Sequence, residues 1–369
     1  MTLGGHTARI HACAFAPDGS LLASASGDWT LRLWDTATGV EIGILGQHLA
    51  EVQSCAFAPD GSFVVSVSGD KTVKLLDPSI TGDWHRAELR TIQGHTGGLS
   101  DCAVAPDGSI VVSASSQGPP LKLWDPFTGK ELRTLVAANR LHRAAACAVA
   151  PDGSCVASAG RDYALYLWDL HTGKQIEVLL GHRGPVLACA FAPDGAFLVS
   201  ASADGTLKLW DHSTGEVLLT LDGHAGEVRG CAVTPDGSFV LSSSEDRTLK
   251  IWNQSTGKPQ LTLPLGGGLT CTAVHPSLPI AASGDQGGNL YFVDLVGIEY
   301  GPIIVTAVGR GGRRTVRCPK CWQVHPLDET WLGQVIDCPT PTCDLRLRVN
   351  PFFAGGRQGN LLRRFLGRS

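Results

Sequence analysis

Four cysteines near the C-terminus have the spacing of a metal site. Cys318 and Cys321 form a C-x2-C pair, and Cys338 and Cys343 form a C-x4-C pair after sixteen intervening residues. Two close pairs joined by a strand–turn–strand span suit a tetrahedral Zn²⁺ ion, and four thiolates leave no position for substrate. We therefore predict a structural zinc site, with reduced or vestigial cysteines as the alternative. The second pair is longer than a usual knuckle, so His325 is the candidate replacement for a fourth ligand.

A second set of reactive side chains combines Ser, His and Asp, the residue types of a hydrolytic triad. The set occurs three times, each time with a Trp: His6, Ser24, Asp28, Trp34; His182, Ser200, Asp204, Trp210; His224, Ser242, Asp246, Trp252. Three copies of one constellation indicate a structural device of a repeat. The sequence also has no Gly-rich phosphate loop after a strand and no His-Glu-x-x-His motif. We therefore predict that the protein is not an enzyme.

The repeat is marked by the tripeptide Pro-Asp-Gly. It occurs at 17–19, 59–61, 106–108, 151–153, 193–195 and 235–237, with a degenerate seventh copy at 275–277. A Trp-Asp dipeptide, or a variant of it, follows each copy after roughly 16 residues. A period in the low forties with this dipeptide indicates a propeller blade. Within one repeat, 181–221, four short apolar stretches are separated by turns, which predicts four strands.

With Gly-His before the first strand, Asp in the second turn and Trp-Asp after the third strand, residues 1 to about 308 resemble the WD40 family. The resemblance implies an all-β fold, a seven-bladed β-propeller. It also implies that Ser, His, Asp and Trp form a buried hydrogen-bond network within each blade. Several copies depart from the pattern: blade 2 has Leu76 for Trp, blade 3 has Gln117 for Asp, blade 4 has Arg140 at the His position, and blade 7 keeps only Asp285.

Closure of the ring is the least regular part of the pattern. Members of the family usually complete the last blade with an N-terminal strand, but only Met1–Leu3 precede the first Gly-His. We therefore expect Pro302–Val308 to supply the missing outer strand. The alternative is that the chain is the tail of a longer gene product.

The net charge of −4 conceals two oppositely charged segments. Residues 309–369 carry 11 Lys and Arg and 4 Asp and Glu, a net of +7, which leaves −11 for residues 1–308. We predict three parts: a propeller at 1–308, a zinc-ribbon-like module at 309–350 and a basic tail at 351–369. The basic part raises nucleic acid as an alternative partner.

The eight other cysteines fall on predicted core strands. Six occupy equivalent first-strand positions, Cys271 is one residue out of register, and Cys155 lies on a second strand. Because packed sheets stand about 10 Å apart, we expect none of them to pair. Free thiols favour a reducing compartment, the cytoplasm. Neither a signal peptide nor a membrane-spanning apolar run is visible.

We predict that the protein is an interaction scaffold that displays loops on a rigid propeller and binds other proteins. We expect the turns beside the Gly-His and Asp positions to share one face. Exposed aromatic and charged side chains of those turns are the candidate contacts: Trp29, Lys71, Arg161, Tyr163, Glu245 and Arg247. Trp84, in an insertion of blade 2, is a weaker candidate on the opposite face.

Overall fold

The computed structural model describes residues 1–137, 142–310 and 313–354. Within these ranges the fold is a ring of seven four-stranded antiparallel sheets followed by one five-stranded sheet. The short strand β1 (Thr2–Leu3) comes first. The strands of blades 1 to 3 are β2 (Ile10–Phe15), β3 (Leu21–Ser26), β4 (Thr30–Asp35), β5 (Glu41–Gln47); β6 (Val52–Phe57), β7 (Val64–Ser68), β8 (Thr72–Leu76), β9 (Glu88–Gln93); β10 (Leu99–Val104), β11 (Val111–Ser115), β12 (Leu121–Trp124), β13 (Glu131–Leu135).

Blades 4 to 7 continue in the same way. Their strands are β14 (Ala144–Val149), β15 (Cys155–Gly160), β16 (Ala164–Asp169), β17 (Gln175–Leu180); β18 (Val186–Phe191), β19 (Leu198–Ser202), β20 (Thr206–Trp210), β21 (Val217–Asp222); β22 (Val228–Val233), β23 (Phe239–Ser244), β24 (Thr248–Asn253), β25 (Pro259–Pro264); β26 (Leu269–Val274), β27 (Ile280–Asp285), β28 (Leu290–Asp294). A single helical turn, α1 (Trp84–Ala87), lies in the blade 2 insertion. The predicted seven-bladed architecture is therefore confirmed.

Apolar side chains between neighbouring blades form the core. At the seam of blades 1 and 7, for example, Ile10 and Leu22 pack against Ala282 and Leu290. All four side chains are fully buried. At roughly 25 cal/mol per Å² of apolar area, such seams supply most of the stability of a propeller.

The predicted closure of the ring is wrong. Blade 7 takes its outer strand from the N-terminus, because Thr2 pairs with Tyr291 and Leu3 with Leu290. The Met1 amino group donates to the Phe292 carbonyl over 2.7 Å, and the Phe292 amide donates to the Met1 carbonyl over 2.9 Å. Pro302–Val308 does not join blade 7. It contributes instead to β29 (Ile303–Arg310), a strand of the C-terminal sheet.

The C-terminal sheet begins inside the segment that we had assigned to the propeller. It comprises β29, β30 (Arg313–Arg317), β31 (Val324–Pro326), β32 (Val335–Asp337) and β33 (Arg346–Ala354), in the order β31-β30-β29-β33-β32. A 3-10 turn at Glu329–Trp331 precedes β32. We therefore propose that the boundary between the propeller and the C-terminal sheet lies before Ile303. Strand β33 also extends past residue 351, the predicted start of the basic tail. Residues 355–369 lie outside the described part of the chain.

This C-terminal sheet rests on the propeller at the Pro-Asp-Gly turns. The amide of Ile304 donates to the Pro235 carbonyl over 2.9 Å, and Asn350 Nδ2 donates to the Pro193 carbonyl over 2.8 Å. A cavity of about 430 Å³ remains between the sheet and the ring of turn prolines. The C-terminal sheet therefore covers one mouth of the axial channel. It does not cover the opposite face, which carries the Gly-His and Asp turns.

Two further expectations need correction. In blade 4 the imidazole comes from His142, while Arg140 lies outside the described residues. The cysteines of the inner strands are also not all out of reach of each other, because the sulfur atoms of Cys13 and Cys271 are 3.6 Å apart. Blades converge towards the axis, so the 10 Å spacing of packed sheets does not apply there. No helix of the described residues is long and apolar enough to cross a membrane.

Candidate functional site

The repeated Ser, His, Asp and Trp side chains form the hydrogen-bond network that the family resemblance implied. In blade 5, His182 Nε2 lies 2.8 Å from Ser200 Oγ and His182 Nδ1 lies 2.9 Å from Asp204. Trp210 Nε1 donates to the same Ser200 oxygen over 2.8 Å. Blades 1 and 6 repeat this geometry within about 0.1 Å. Because each serine is completely buried, this network ties strands together and offers no surface for substrate.

The protonation states in the network are set by burial and hydrogen bonding. Burial lowers the pKa of His182, against the opposing effect of Asp204, so the imidazole is neutral at pH 7. Burial opposes ionisation of Asp204, but hydrogen bonds from Thr206, the Arg183 amide and His182 lower its pKa to about 2. The carboxylate is therefore ionised and held at the turn, where the amide of Arg183 donates to it over 2.8 Å.

Blades 3 and 7 lack part of the network and have different hydrogen bonds at these positions. In blade 3, His95 contacts Ser113 at 2.6 Å, but its buried Nδ1 has no hydrogen-bond partner among the described residues. Burial, with a contribution from Lys122, lowers the pKa of His95 to about 4. In blade 7, Asp285 accepts from the Tyr291 hydroxyl over 2.8 Å and from Asn289.

The Asp turns carry four large side chains in an unusual backbone conformation. Trp29, Lys71, Tyr163 and Arg247 have φ values of 71°, 71°, 70° and 68°. The equivalent positions of blades 3, 5 and 7 are glycines, Gly118, Gly205 and Gly288, with φ of 86°, 84° and 86°. A non-glycine residue in this left-handed region costs about 1 kcal/mol or more.

The six side chains predicted as contacts lie on this uncovered face, with one difference in exposure. Trp29 is 49% exposed and Tyr163 48% exposed, and Lys71, Arg161 and Arg247 are also exposed. Glu245 is half-buried, because its Oε1 atom accepts from Arg229 Nε over 2.7 Å. We call the turns that follow the Gly-His and Asp positions the His–Asp face.

Sequence reasoning missed two features of the His–Asp face. Leu49 is 87% exposed and follows His48, whose amide donates to the Trp29 carbonyl over 3.0 Å. The channel mouth is a cavity of about 380 Å³ lined by Arg9, Arg161 and Arg229. The Arg9 Nε atom is buried and has no hydrogen-bond partner within the described ranges. The sequence did contain a signal for each feature. Leu49 is an apolar residue directly after the Gly-His position, and Arg9 directly precedes the inner strand β2.

The exposed charges of the His–Asp face are mostly basic. The exposed charged residues in its described turns are Lys71, Arg143, Arg161, Arg183, Arg247 and Glu51. The aspartates of these turns are at least half-buried against their histidines. An acidic propeller therefore presents a locally basic surface.

The four cysteines of the C-terminal sheet come together. Their sulfur atoms all lie within 4.8 Å of one another, with Cys318 and Cys343 at 3.8 Å and Cys321 and Cys338 at 3.6 Å. Such a cluster could hold a metal ion. His325 lies beside the cluster, with Nε2 4.0 Å from Cys338 Sγ and 3.2 Å from Thr340 Oγ1.

Comparison with known proteins identifies the propeller. Six stretches match the family described as WD domain, G-beta repeat, and together they cover more than half of the chain: 1–35, 39–77, 86–118, 129–169, 173–211 and 215–253. The chain therefore belongs to the WD40 repeat family, whose members generally bind other proteins and are not catalytic. None of these stretches includes blade 7, which is expected because this blade lacks the Trp and His of the regular blades.

Similarity to individual curated proteins is confined to about one repeat. The chain is 58% identical to Protein Mut11 of Chlamydomonas reinhardtii and 52% identical to the human serine-threonine kinase receptor-associated protein, each over 40 residues. It is 54% identical to the WD40 repeat-containing protein HOS15 of Arabidopsis thaliana over 37 residues. The matches cover 11%, 11% and 10% of this chain and 11%, 11% and 6% of the relatives.

Proposed function

We propose that this protein is a non-catalytic interaction scaffold that binds a protein partner through the His–Asp face. One observation carries the proposal: four of the seven Asp turns hold a large exposed side chain where glycine would relieve the backbone. The turn itself does not need Trp29, Lys71, Tyr163 or Arg247, since Gly205 makes the same turn in blade 5. A conformational cost retained at exposed positions favours a role in contact.

The partner segment that fits this face is acidic and has at least one apolar side chain. The exposed charges of the face are mainly basic, and Arg9, Arg161 and Arg229 line the channel mouth. Trp29 and Leu49 add exposed apolar area on the same face. Complementary charge would speed association and select the partner, and the aromatic side chains would contribute most of the affinity.

We further propose that the four-cysteine cluster holds a structural Zn²⁺ ion. A tetrahedral ion with Zn–S distances of about 2.3 Å requires sulfur atoms about 3.8 Å apart. Two of the sulfur–sulfur distances, 3.6 Å and 3.8 Å, fit that requirement without His325, and all four sulfur atoms lie within 4.8 Å of one another. Metal binding would stabilise a sheet whose hydrophobic cluster is small and includes Cys318 and Cys338 themselves.

Nucleic acid is the weaker alternative for the C-terminal part. The Arg317 guanidinium lies over the Trp322 ring and donates to the Asp60 carbonyl of the propeller, and Lys320 pairs with Asp344. Arg314 lies over Phe353 and pairs with Glu329. These basic residues therefore already have contacts within the chain. We propose a reducing compartment such as the cytoplasm, since none of the cysteines, all of which the structure describes, forms a disulfide.

Affinity capture with matched variants tests the proposed surface. Full-length protein carrying Trp29→Ala, Arg161→Ala and Tyr163→Ala should lose specific partners that the wild type retains. A control with Phe127→Ala alters an aromatic residue at the other end of the blades, 66% exposed, and should retain them. Equal recovery by all three proteins would exclude the His–Asp face as the binding surface.

A further inference from the structure

Two cysteines meet at the seam where the ring closes. Cys13 lies on β2 of blade 1 and Cys271 on β26 of blade 7, and their sulfur atoms are 3.6 Å apart. The seam joins the first blade to the last. Besides apolar packing it has a hydrogen bond from the Thr270 hydroxyl to the Ile10 carbonyl.

The strand register explains why two thiols face each other at this seam. Cys271 pairs with Gly284 as Ala12 pairs with Ala25, so Cys271 occupies the Ala12 position of its blade. In blades 1 to 6 this position holds Ala12, Ser54, Asp101, Ala146, Ala188 and Gly230. The next residue of those blades is the repeated cysteine, which in blade 7 is Thr272. The cysteine of blade 7 therefore lies one position earlier on its strand than the cysteines of the other blades, and this position brings its thiol against Cys13.

Both cysteines are buried, but both line a cavity that a small molecule such as a peroxide could enter. Cys13 and Cys271 are 9% and 7% exposed and line the axial channel, within a cavity of about 240 Å³. Hydrogen bonding with the Cys13 thiol lowers the pKa of Cys271, and the Arg9 guanidinium acts in the same direction. Two thiols in contact, one of them with a lowered pKa, are an arrangement that favours oxidation to a disulfide.

We propose that Cys13 and Cys271 are a redox-modification site, at which a peroxide forms a reversible disulfide that joins blade 1 to blade 7. The Cys271 thiolate attacks hydrogen peroxide, giving a sulfenic acid and hydroxide. The Cys13 sulfur then displaces the sulfenic oxygen, which leaves as water. In total two thiols and one peroxide give one disulfide and two waters, and each sulfur loses one electron. The sulfur atoms must approach by about 1.5 Å to reach a bond of about 2.05 Å.

The bond would reinforce the seam at which the ring closes. Blade 7 is completed by β1, which has only two residues, so opening the propeller at this seam breaks few strand hydrogen bonds. A covalent link between residues 258 positions apart would prevent that opening. The inference is independent of the proposed partner surface.

Peptide mapping of the full-length protein tests the proposal. After treatment with about one equivalent of hydrogen peroxide and blocking of free thiols, we expect a linked Cys13–Cys271 peptide as the main crosslink among the channel cysteines. The oxidised protein should unfold in denaturant at least about tenfold more slowly than the reduced protein, and dithiothreitol should reverse the effect.

The variants separate this site from other thiols. Cys271→Ala should abolish both effects and fold normally, because three other blades have alanine at this position. Cys55→Ala, the equivalent of Cys13 in blade 2, should leave both effects intact. The proposal is overturned if the crosslink forms only in denatured protein, if other channel pairs link as readily, or if Cys271→Ala retains the slower unfolding.

Discussion

Removal of a single buried hydroxyl should show whether the Ser-His-Asp set is structural. In Ser200→Ala, Trp210 Nε1 and His182 Nε2 lose the oxygen that each contacts at 2.8 Å. Both groups lie in a fully buried part of blade 5, so water cannot replace that oxygen without rearrangement. A buried polar group left without a partner costs about 1–3 kcal/mol, and two such groups give a loss of about 3 kcal/mol.

Denaturant unfolding of the purified protein measures this loss as a shift of the midpoint at unchanged slope. Ser283→Ala is the matched control, because this serine is equally buried but only donates one hydrogen bond, to the Cys271 carbonyl over 2.7 Å. We expect about 1 kcal/mol for the control. A loss below 1 kcal/mol in Ser200→Ala, or equal losses in the two variants, would refute the structural role of the network.

Three further predictions concern acid, metal and the strained turns. The free energy of unfolding should fall as the pH drops below about 6.5, because histidines in the unfolded chain take up protons there while buried His182 and His224, with lowered pKa values, do not. It should fall again between about pH 4 and 2, because the carboxylates of Asp204 and Asp246 have a pKa of about 2 in the folded protein and about 4 in the unfolded chain. Equal proton uptake by the folded and unfolded protein from pH 7 to 5 would contradict this. A strong chelator should release about one zinc per chain and raise amide exchange in β29–β33 but not in blades 2 to 6, and no bound zinc would exclude the proposed metal. Lys71→Gly should change the unfolding free energy by less than about 1 kcal/mol because φ there suits glycine, yet weaken partner binding; a larger loss of stability would give Lys71 a structural role.

The repeat made the propeller predictable, because each blade is a nearly complete copy that carries its own strands, turns and network. Ser, His and Asp recur at fixed spacing, and strand register then places them together in every regular blade. The cysteine cluster was equally visible, since its ligands lie in two short pairs.

The errors arose where one local signal was weak or a partner lay far away in sequence. A strand of two residues, Thr2–Leu3, carries no periodicity, whereas the apolar run Pro302–Val308 does. In the structure this run pairs mainly with β33, more than forty residues later in the sequence. In blade 4 the loop before the first strand differs in length, so the histidine, His142, fell two residues beyond its expected place. The Cys13–Cys271 contact depends on convergence of blades at the axis, which a one-dimensional pattern does not report.

The most direct test of the binding surface is hydrogen–deuterium exchange with and without a partner recovered by affinity capture. We expect slower exchange in the turns at 27–30, 69–72, 160–163 and 245–248, and no change in β29–β33. Protection confined to the C-terminal sheet or to the outer strands of the blades would contradict it.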